Sequence, residues 1–154
     1  MSSVAKMRLM KDLKICNKPD DNTQVYAMPT SSNFFVWEAI IFGPQDTIWE
    51  GGTFKLLLEF NEEYPNKAPV AKFKTKMFHP NIYPDGSICL DILTNQWSPI
   101  YDVSTVLVSI QSLLSDPNPT SPANNEAAKL YDDNRDEYNK RVWDCVFNSW
   151  NANV

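Results

Sequence analysis

The sequence predicts an α+β domain in which one helix precedes an antiparallel sheet and three helices follow it. Three observations support this class. Apolar residues recur at helical spacing near the start, four short runs in the middle have strand composition, and helical spacing returns over the last third. We expect the 154 residues to form a single domain, 1–154, without repeats or linkers.

The first helix is predicted by apolar residues at helical spacing: Ala5, Leu9, Leu13 and Cys16. Ser2 or Ser3 is a candidate N-cap, because a hydroxyl can accept from the free backbone N–H groups of a first turn. Pro19 cannot continue a helix and is expected to end the pattern. This segment is therefore predicted to be one amphipathic helix.

Four runs in the middle of the chain have the composition of strands: Thr23 to Met28, Asn33 to Phe42, Thr53 to Phe60 and Val70 to Lys74. The third run alternates most clearly between apolar and charged residues. Short turns that contain glycine or proline separate the runs. An antiparallel meander with one buried face is therefore expected.

Three helices are predicted in the last third of the chain. Asp102 is the expected N-cap of the first, which ends before Asp116. Its inward stripe is predicted to be Val103, Val106, Leu107, Ile110, Leu113 and Leu114. The other two are predicted over Ala123 to Asp133 and Asp136 to Trp150. The last helix is expected to pack through Tyr138, Val142, Cys145 and Val146.

Between the sheet and these helices, Met77 to Tyr101 is predicted to be a loop. Prolines and Gly86 interrupt it, and no hydrophobic period survives. A connection this long inside a compact domain is usually functional. Apolar residues can hold the loop on the core: Phe78, Ile82, Ile88, Leu90, Ile92, Leu93 and Trp97.

Composition narrows the class of function. The formal charge is −5, from 14 basic and 19 acidic residues, which argues against general nucleic-acid binding. No stretch of about 18 uncharged apolar residues is present, so a soluble protein without membrane partners is expected. Three cysteines without a Cys-x-x-Cys pair, and one histidine, support neither a disulfide framework nor a zinc site. Reduced thiols fit the cytoplasm and nucleus.

Charge is distributed unevenly along the chain. Residues 6–18 are strongly basic, whereas residues 132–137 hold four carboxylates against one arginine. The basic segment could face an acidic partner or could be a solvated helix face.

The three cysteines differ in their sequence context. Cys16 and Cys145 lie on predicted apolar helix faces, where a cysteine behaves as a small hydrophobe. Cys89 lies in the long loop, where reactive residues are more often found. No Lys, Arg or His lies within six residues of it. Such a thiol suits exchange with another thioester better than unaided amide hydrolysis.

Two polar residues precede Cys89 in the loop. His79 lies ten residues upstream, on the wrong side for a papain-type dyad, and is interpreted as fixing a turn. Asn81 has two open roles. Its amide could donate to a developing oxyanion, or it could hold the loop rigid by bonding to the backbone.

Taken together, these motifs closely resemble those of ubiquitin-conjugating enzymes, over essentially the whole chain. The resemblance rests on Tyr64-Pro65, His79-Pro80-Asn81, Cys89, Trp97 and the turn Asp116-Pro117-Asn118-Pro119. The stretches around Tyr64, Cys89 and Ser121 look most like the subgroup acting in DNA repair, histone monoubiquitination and N-degron turnover. The fold of that family agrees with the elements predicted above.

The resemblance implies that Cys89 accepts ubiquitin from an activating enzyme as a thioester and passes it to a substrate lysine with a ubiquitin ligase. Asn81 matches the oxyanion or loop-stabilising asparagine, and Asp91 an acidic position near the incoming lysine. Ser121 stands where relatives often have an acidic residue at the gate, and its phosphorylation would restore that charge. No cofactor is implied, since the activating enzyme uses the ATP.

Two surfaces follow from the same resemblance. The ligase, expected to be of the RING type, would contact Arg8, Lys11, Asn66, Ser98 and Pro99. Asn66 replaces an aromatic residue of some relatives, which puts ligases that need that aromatic in doubt. Donor ubiquitin would cover Thr105, Val108 and Ser112 on the helix after Asp102. Those three residues also lie away from the apolar stripe on spacing alone.

Two rival functions are weighed against ubiquitin transfer. A noncatalytic module of the same fold is disfavoured because variants of that kind lack the cysteine, which this chain has. Transfer of a different ubiquitin-like modifier is the nearer alternative. Conjugators of the SUMO type are markedly basic, and the net charge of −5 argues against it.

Overall fold

A computed structural model describes residues 3–17 and 24–151. Over these residues the elements occur in the following order: α1 Ser3–Cys16, β1 Val25–Pro29, β2 Val36–Phe42, β3 Thr53–Glu59, β4 Val70–Phe73, a 3₁₀ helix Asp91–Leu93, α2 Val103–Ser115, α3 Asn125–Asp133 and α4 Arg135–Asn148. The predicted α+β class and element order are confirmed. Ser2, Pro19 and Thr23, named in the sequence predictions, lie outside the described residues.

The four strands form one antiparallel sheet in the order β1-β2-β3-β4. Tyr26 pairs with Ile40, and Leu58 pairs with both Trp37 and Ala71 across its two neighbours. Each strand is thus hydrogen-bonded to the next one in the chain, which confirms the predicted meander.

Alternation along the strands gives the sheet one buried face. The side chains on this face are Val25, Ala27, Trp37, Ala39, Ile41, Phe54, Leu56, Leu58, Ala71 and Phe73. Helix α2 covers β1 and β2, α1 packs on α2, and α3 packs on α4. The outer face exposes Tyr26 and Met28.

Element ends differ from the predictions where an asparagine side chain competes for the backbone. Residues 33–35 form a turn, not the start of β2, because the Asn33 side chain accepts from the Phe35 N–H at 2.9 Å. Helix α3 begins at Asn125 rather than Ala123, because Asn124 caps it through the Ala127 N–H at 3.0 Å. Asn134 caps α4 in the same way, through the N–H of Glu137 at 3.2 Å. Asp102 caps α2 as predicted.

Helix α1 is attached to two loops by a buried polar network. Asp12 is fully buried and accepts from Arg8 Nε at 2.9 Å and from the Tyr64 hydroxyl. The Arg8 guanidinium also donates to the carbonyls of Pro99 and Tyr101, both at 2.7 Å. The Arg8–Asp12–Tyr64 network therefore fixes the positions of loops 61–67 and 98–101 against the helix.

Trp97, a residue of the long loop, packs beside the Arg8–Asp12–Tyr64 network. Its indole N–H donates to the carbonyl of Pro65 at 2.8 Å, and its ring lies 6.1 Å from that of Tyr64 and 5.6 Å from that of Tyr101. The Tyr64-Pro65 peptide bond is cis. Of the helices the structure describes, none is long and apolar enough to cross a membrane.

Candidate active site at Cys89

Of the apolar side chains predicted to hold the loop over residues 77–101 on the core, all except Ile92 pack in it or against it. Phe78 and Ile82 are buried, and further side chains pack half-buried against the core: Ile88, Leu90, Leu93 and Trp97. The loop is therefore a fixed platform rather than an unsupported connection.

A tight turn in this loop sets the position of Cys89. The Gly86 N–H donates to the Tyr83 carbonyl at 2.9 Å, and the Tyr83 N–H donates to the Ser87 carbonyl at 2.8 Å. Gly86 has a φ of 97°, and a Cβ there would lie 2.2 Å from the carbonyl oxygen of Phe73. Only glycine fits this turn against β4. The sequence predictions had not included this hairpin or the 3₁₀ helix that follows it.

His79 is part of the scaffold beneath the cleft. The side chain is fully buried, its Nε2 donates to the Leu113 carbonyl at 2.7 Å, and its Nδ1 accepts from the Asn81 N–H at 2.9 Å. These partners fix the neutral tautomer. Burial lowers the pKa of His79 to about 4. Both ring nitrogens are occupied, so His79 fixes a turn, as predicted, and is unavailable as a base for Cys89.

Asn81 joins two segments that are distant in sequence. Its side chain is 2% exposed. Its Oδ1 accepts from the backbone N–H of Asn118 and its Nδ2 donates to the backbone carbonyl of the same residue, both at 2.7 Å. Its own carbonyl accepts from the N–H of Cys89 at 2.8 Å. The Asn81–Asn118 pair therefore connects the loop that carries the thiol to the loop after α2.

The loop after α2 is fixed by further hydrogen bonds. The Asn118 Oδ1 accepts from the Thr120 N–H at 3.2 Å. The Pro80 carbonyl accepts from the N–H groups of Ala123 and Asn124, at 2.7 and 3.1 Å. Both walls of the site are thus fixed by hydrogen bonds to backbone groups, which are made by other backbone groups and by the Asn81 and Asn118 side chains.

These two loops enclose a cleft of about 380 Å³. It is lined by Asn81, Cys89, Leu90, Asp91, Thr94, Asn95, Leu113, Asn118 and Ser121. The structure thus brings together the four residues predicted for the site: Cys89, Asn81, Asp91 and Ser121. A larger cleft of about 490 Å³ lies between residues 46–49 and α4, but no cysteine or histidine lines it.

Sequence reasoning missed five residues that line the cleft. Leu113 was assigned to the inward stripe of α2 but is half-buried at the cleft. Leu90 was expected only to hold the loop on the core, and Asn118 was recognised only as part of a turn motif. Thr94 and Asn95 follow the 3₁₀ helix. No sequence period marks such positions, because the contact between the two loops is tertiary.

The three thiols have different environments. Cys89 is exposed, whereas Cys16 and Cys145 are half-buried. Burial, with nearby carboxylates, raises the pKa of Cys16 to about 12, and burial raises that of Cys145 to about 11. In the part of the chain that the structure describes, no cysteine belongs to a group of three side chains able to hold a metal ion.

The residues predicted for the ligase surface lie in the middle of α1 and in the two loops bound to it. Lys11, Asn66 and Pro99 are exposed, and Ser98 is half-buried. Arg8 differs, because its guanidinium already donates to the Asp12 carboxylate and to the carbonyls of Pro99 and Tyr101. Sequence reasoning had not identified a neighbouring apolar residue, Ile100, which is 83% exposed.

The residues predicted for donor ubiquitin lie together on α2. Thr105, Val108 and Ser112 are all exposed on the helix face turned away from the sheet. Thr105 also donates to the capping Asp102 carboxylate through its N–H and its hydroxyl, at 2.8 and 2.9 Å.

Comparisons of the chain with a family model and with known proteins identify the same family. The family model for "Ubiquitin-conjugating enzyme" matches residues 8–146. The chain is 59% identical over 150 residues to ubiquitin-conjugating enzyme E2 3 of Arabidopsis thaliana, an alignment that covers 97% of this chain and 99% of the relative. It is 60% identical over 150 residues to ubiquitin-conjugating enzyme E2 1 of Caenorhabditis elegans, covering 97% of this chain and 78% of that one. With its fold and its cysteine-bearing cleft, the chain belongs to the ubiquitin-conjugating enzyme family.

Proposed function

We propose that Cys89 is the residue through which this ubiquitin-conjugating enzyme carries ubiquitin. The observation that supports this assignment most directly is its exposed position in the cleft, while Cys16 and Cys145 are half-buried with raised pKa values. A nucleophile that exchanges acyl groups with another large protein must be reachable at the surface.

The proposed reaction has two acyl transfers. The Cys89 thiolate attacks the ubiquitin thioester on the activating enzyme, a new C–S bond forms, and the activating enzyme leaves as its thiolate. The neutral amine of a substrate lysine then attacks the same carbonyl carbon. An amide forms, the C–S bond breaks, and the Cys89 thiol is regenerated. The chain needs no cofactor in this scheme, because ATP is consumed by the activating enzyme.

Asn81 is proposed to act in the second transfer. One of its two Nδ2 hydrogens is donated to the Asn118 carbonyl, and the amide retains a second donor. That hydrogen is a candidate donor to the oxyanion that develops when lysine attacks. The Asn81–Asn118 pair would keep the amide in place for this contact.

Asp91 and Ser121 are proposed to set the charge around the incoming substrate lysine. Asp91 is exposed at the start of the 3₁₀ helix and lines the cleft. A carboxylate there can orient the amine or assist its deprotonation. Ser121 lines the opposite wall without a charge. Phosphorylation of Ser121 would add negative charge at this gate.

The partner surfaces are proposed as follows. A ligase of the RING type contacts Lys11, Asn66, Ser98 and Pro99, with Arg8 supporting that surface from inside. Donor ubiquitin covers Thr105, Val108 and Ser112. We place the chain in the subgroup that acts in DNA repair, histone monoubiquitination and N-degron turnover, in the cytoplasm and nucleus. Its partners would be proteins rather than nucleic acid or membrane.

Loading assays test the role of Cys89. Wild type is incubated with activating enzyme, ATP and ubiquitin, and we expect an adduct that a reductant removes. Cys89→Ala should form none, and Cys89→Ser should form an oxyester that resists the reductant. Cys145→Ala is the matched control and should load normally. A reductant-sensitive adduct on Cys89→Ala would show that the assignment is wrong.

Two substitutions separate the roles of Asn81. Asn81→Asp keeps the acceptor for the Asn118 N–H but loses both amide donors, whereas Asn81→Ala loses the whole pair. If the amide stabilises the oxyanion, both variants should slow transfer to free lysine by about 10²- to 10³-fold while loading slows less. Single-turnover discharge of preloaded enzyme measures this. Equal losses in loading and discharge, or unfolding of both variants, would leave only the structural role.

A further inference from the structure

The end of α4 and the turn after it expose three large aromatic side chains that the core does not use. Trp143, Phe147 and Trp150 are 59%, 52% and 59% exposed. The Trp143 and Phe147 rings are stacked with centroids 5.4 Å apart, and the Phe147 and Trp150 rings lie 5.6 Å apart. We name these three residues the aromatic row. Contiguous exposed aromatic surface of this kind marks interaction sites in soluble proteins.

The core face of α4 is complete without the aromatic row. Tyr138, Val142 and Val146 make the buried contacts of the helix. None of the three aromatic residues lines the Cys89 cleft or belongs to the surfaces proposed for ligase and donor ubiquitin. Neither core packing nor the proposed function therefore explains why three aromatic side chains are exposed together here.

One member of the aromatic row, Trp150, is held in place before any partner binds. The Trp150 indole N–H donates to the Gly51 carbonyl at 2.6 Å. Ser149, just before it, accepts from the Thr53 N–H at 3.0 Å and donates to the Val146 carbonyl at 2.6 Å. Binding of a partner at the Trp150 ring would thus cost little ordering entropy.

Carboxylates border the aromatic row. Asp144 is exposed on the helix beside Trp143 and Phe147, and Glu50 is exposed next to Gly51, whose carbonyl accepts from the Trp150 indole. One Glu50 oxygen accepts from a backbone N–H at 2.8 Å, and its other oxygen has capacity to accept. Residues 132–137, with four carboxylates against Arg135, precede this stretch of α4. Lys140 is exposed one turn before Trp143, and Arg141 is paired with Glu126 at 3.1 Å. The border is therefore mainly acidic.

We propose that the aromatic row docks an arginine-bearing basic segment of a partner protein. A guanidinium can stack on an indole or phenyl face and pair with a neighbouring carboxylate at the same time. The aromatic row with Asp144 and Glu50 offers both kinds of contact side by side. Single-stranded nucleic acid and anionic lipid also use aromatic residues, but both need clusters of basic neighbours, whereas Lys140 is outnumbered here by Asp144, Glu50 and the carboxylates of residues 132–137.

A labelled peptide of alternating arginine and glycine tests the proposal, with lysine, glutamine and glutamate versions of equal length. Binding to the full chain is measured by fluorescence anisotropy at low and high salt. We expect the arginine peptide to bind best, the lysine peptide more weakly, and the glutamine and glutamate peptides not to bind. Raising the salt concentration should weaken binding of both basic peptides.

Variants locate the site. Trp143→Ala with Phe147→Ala should weaken binding of the arginine peptide at least about tenfold, and Asp144→Lys should weaken it by a similar factor. Circular dichroism checks that each variant is folded. Tyr26→Ala is the matched control, because Tyr26 is a 54% exposed aromatic residue on the outer sheet face, and it should leave binding unchanged. Ubiquitin loading should be normal in all of them.

Four results would overturn the proposal. The first is no saturable binding of the arginine peptide up to about 1 mM. The second is equal binding by wild type and the Trp143→Ala, Phe147→Ala double variant, and the third is equal binding of the arginine and glutamate peptides. The fourth is self-association in analytical ultracentrifugation that Trp143→Ala abolishes, since the occupant would then be a second copy of the chain.

Discussion

Two polar side chains, His79 and Asn81, are almost completely buried beneath the candidate active site. Each uses its hydrogen-bonding groups on the backbone of a distant segment, Leu113 for the imidazole and Asn118 for the amide. An unsatisfied group at either position would cost about 1–3 kcal/mol. Residue identity is therefore constrained here by the fold as well as by the reaction.

The burial of His79 predicts a specific pH dependence of stability. Its pKa is about 4 in the folded chain, below the ordinary 6.5, so between these values the unfolded chain binds the proton and the folded chain does not. The free energy of unfolding should therefore fall by about 3 kcal/mol as the pH is lowered through this window. Urea unfolding at several pH values measures the loss.

The imidazole itself provides a direct check, because the chain has one histidine. In the folded protein its ¹H NMR signals should not titrate between about pH 8 and pH 5. A native-state titration with a midpoint near 6.5 would mean that the ring is solvated, contrary to the structure.

At the scale of single residues, the sequence correctly identified Cys89 as the thiol that lies outside the apolar helix faces. It also predicted that His79 fixes a turn rather than acting as a base, and the hydrogen bonds of its ring agree. It could not reveal Asn118. That residue acts on Asn81 through its backbone N–H and carbonyl, which every residue other than proline possesses. Side-chain identity therefore carries no signal for this contact.

At the scale of elements, the Arg8–Asp12–Tyr64 network is the main attachment of α1 to the loops beside it. Asp12→Ala would leave the Arg8 guanidinium, whose side chain is 20% exposed, without its carboxylate partner. We expect the free energy of unfolding to fall by about 3–5 kcal/mol, as for other broken buried ion pairs. Chemical denaturation measures it.

The control for this network is Tyr64→Phe, which removes only the hydroxyl that donates to Asp12. It should cost less, about 1–2 kcal/mol. In a double-mutant cycle with Asp12→Ala the two effects should not add, because both act on the same carboxylate. Additive losses, or a loss below about 1 kcal/mol for Asp12→Ala, would contradict the view that the network holds α1 in place.

Element order and type were predictable because the apolar periods are strong. Alternation over Thr53–Glu59 and the stripe of α2 identify both elements from sequence alone. The ends were less predictable. Asn33, Asn124 and Asn134 each redirect the backbone through a side-chain hydrogen bond, and asparagine is compatible with a turn, a cap or a helix until its neighbours are known.

At the scale of the whole molecule, the fold exposes the Cys89 thiol and half-buries the other two. We expect iodoacetamide to alkylate Cys89 at least about tenfold faster than Cys16 or Cys145, because the last two are half-buried with raised pKa values. Peptide mass spectrometry after timed quenching measures each rate.

Unfolding provides the control for this prediction. In guanidinium chloride the three thiols should react at similar rates, since the fold no longer distinguishes them. In the folded Cys89→Ser variant only slow labelling should remain. Alkylation of Cys145 as fast as that of Cys89 in the native protein would show that α4 opens far more readily than its packing implies.

The Asn81–Asn118 pair also has a consequence for the synthesis of the chain. A ribosome delivers Cys89 before it delivers residue 118, so a nascent chain has its thiol for a time without the second wall of the cleft. Charging with ubiquitin should then begin only after the later loop has emerged and closed on Asn81. The pairing of two asparagines would in this way couple the onset of activity to completion of the fold.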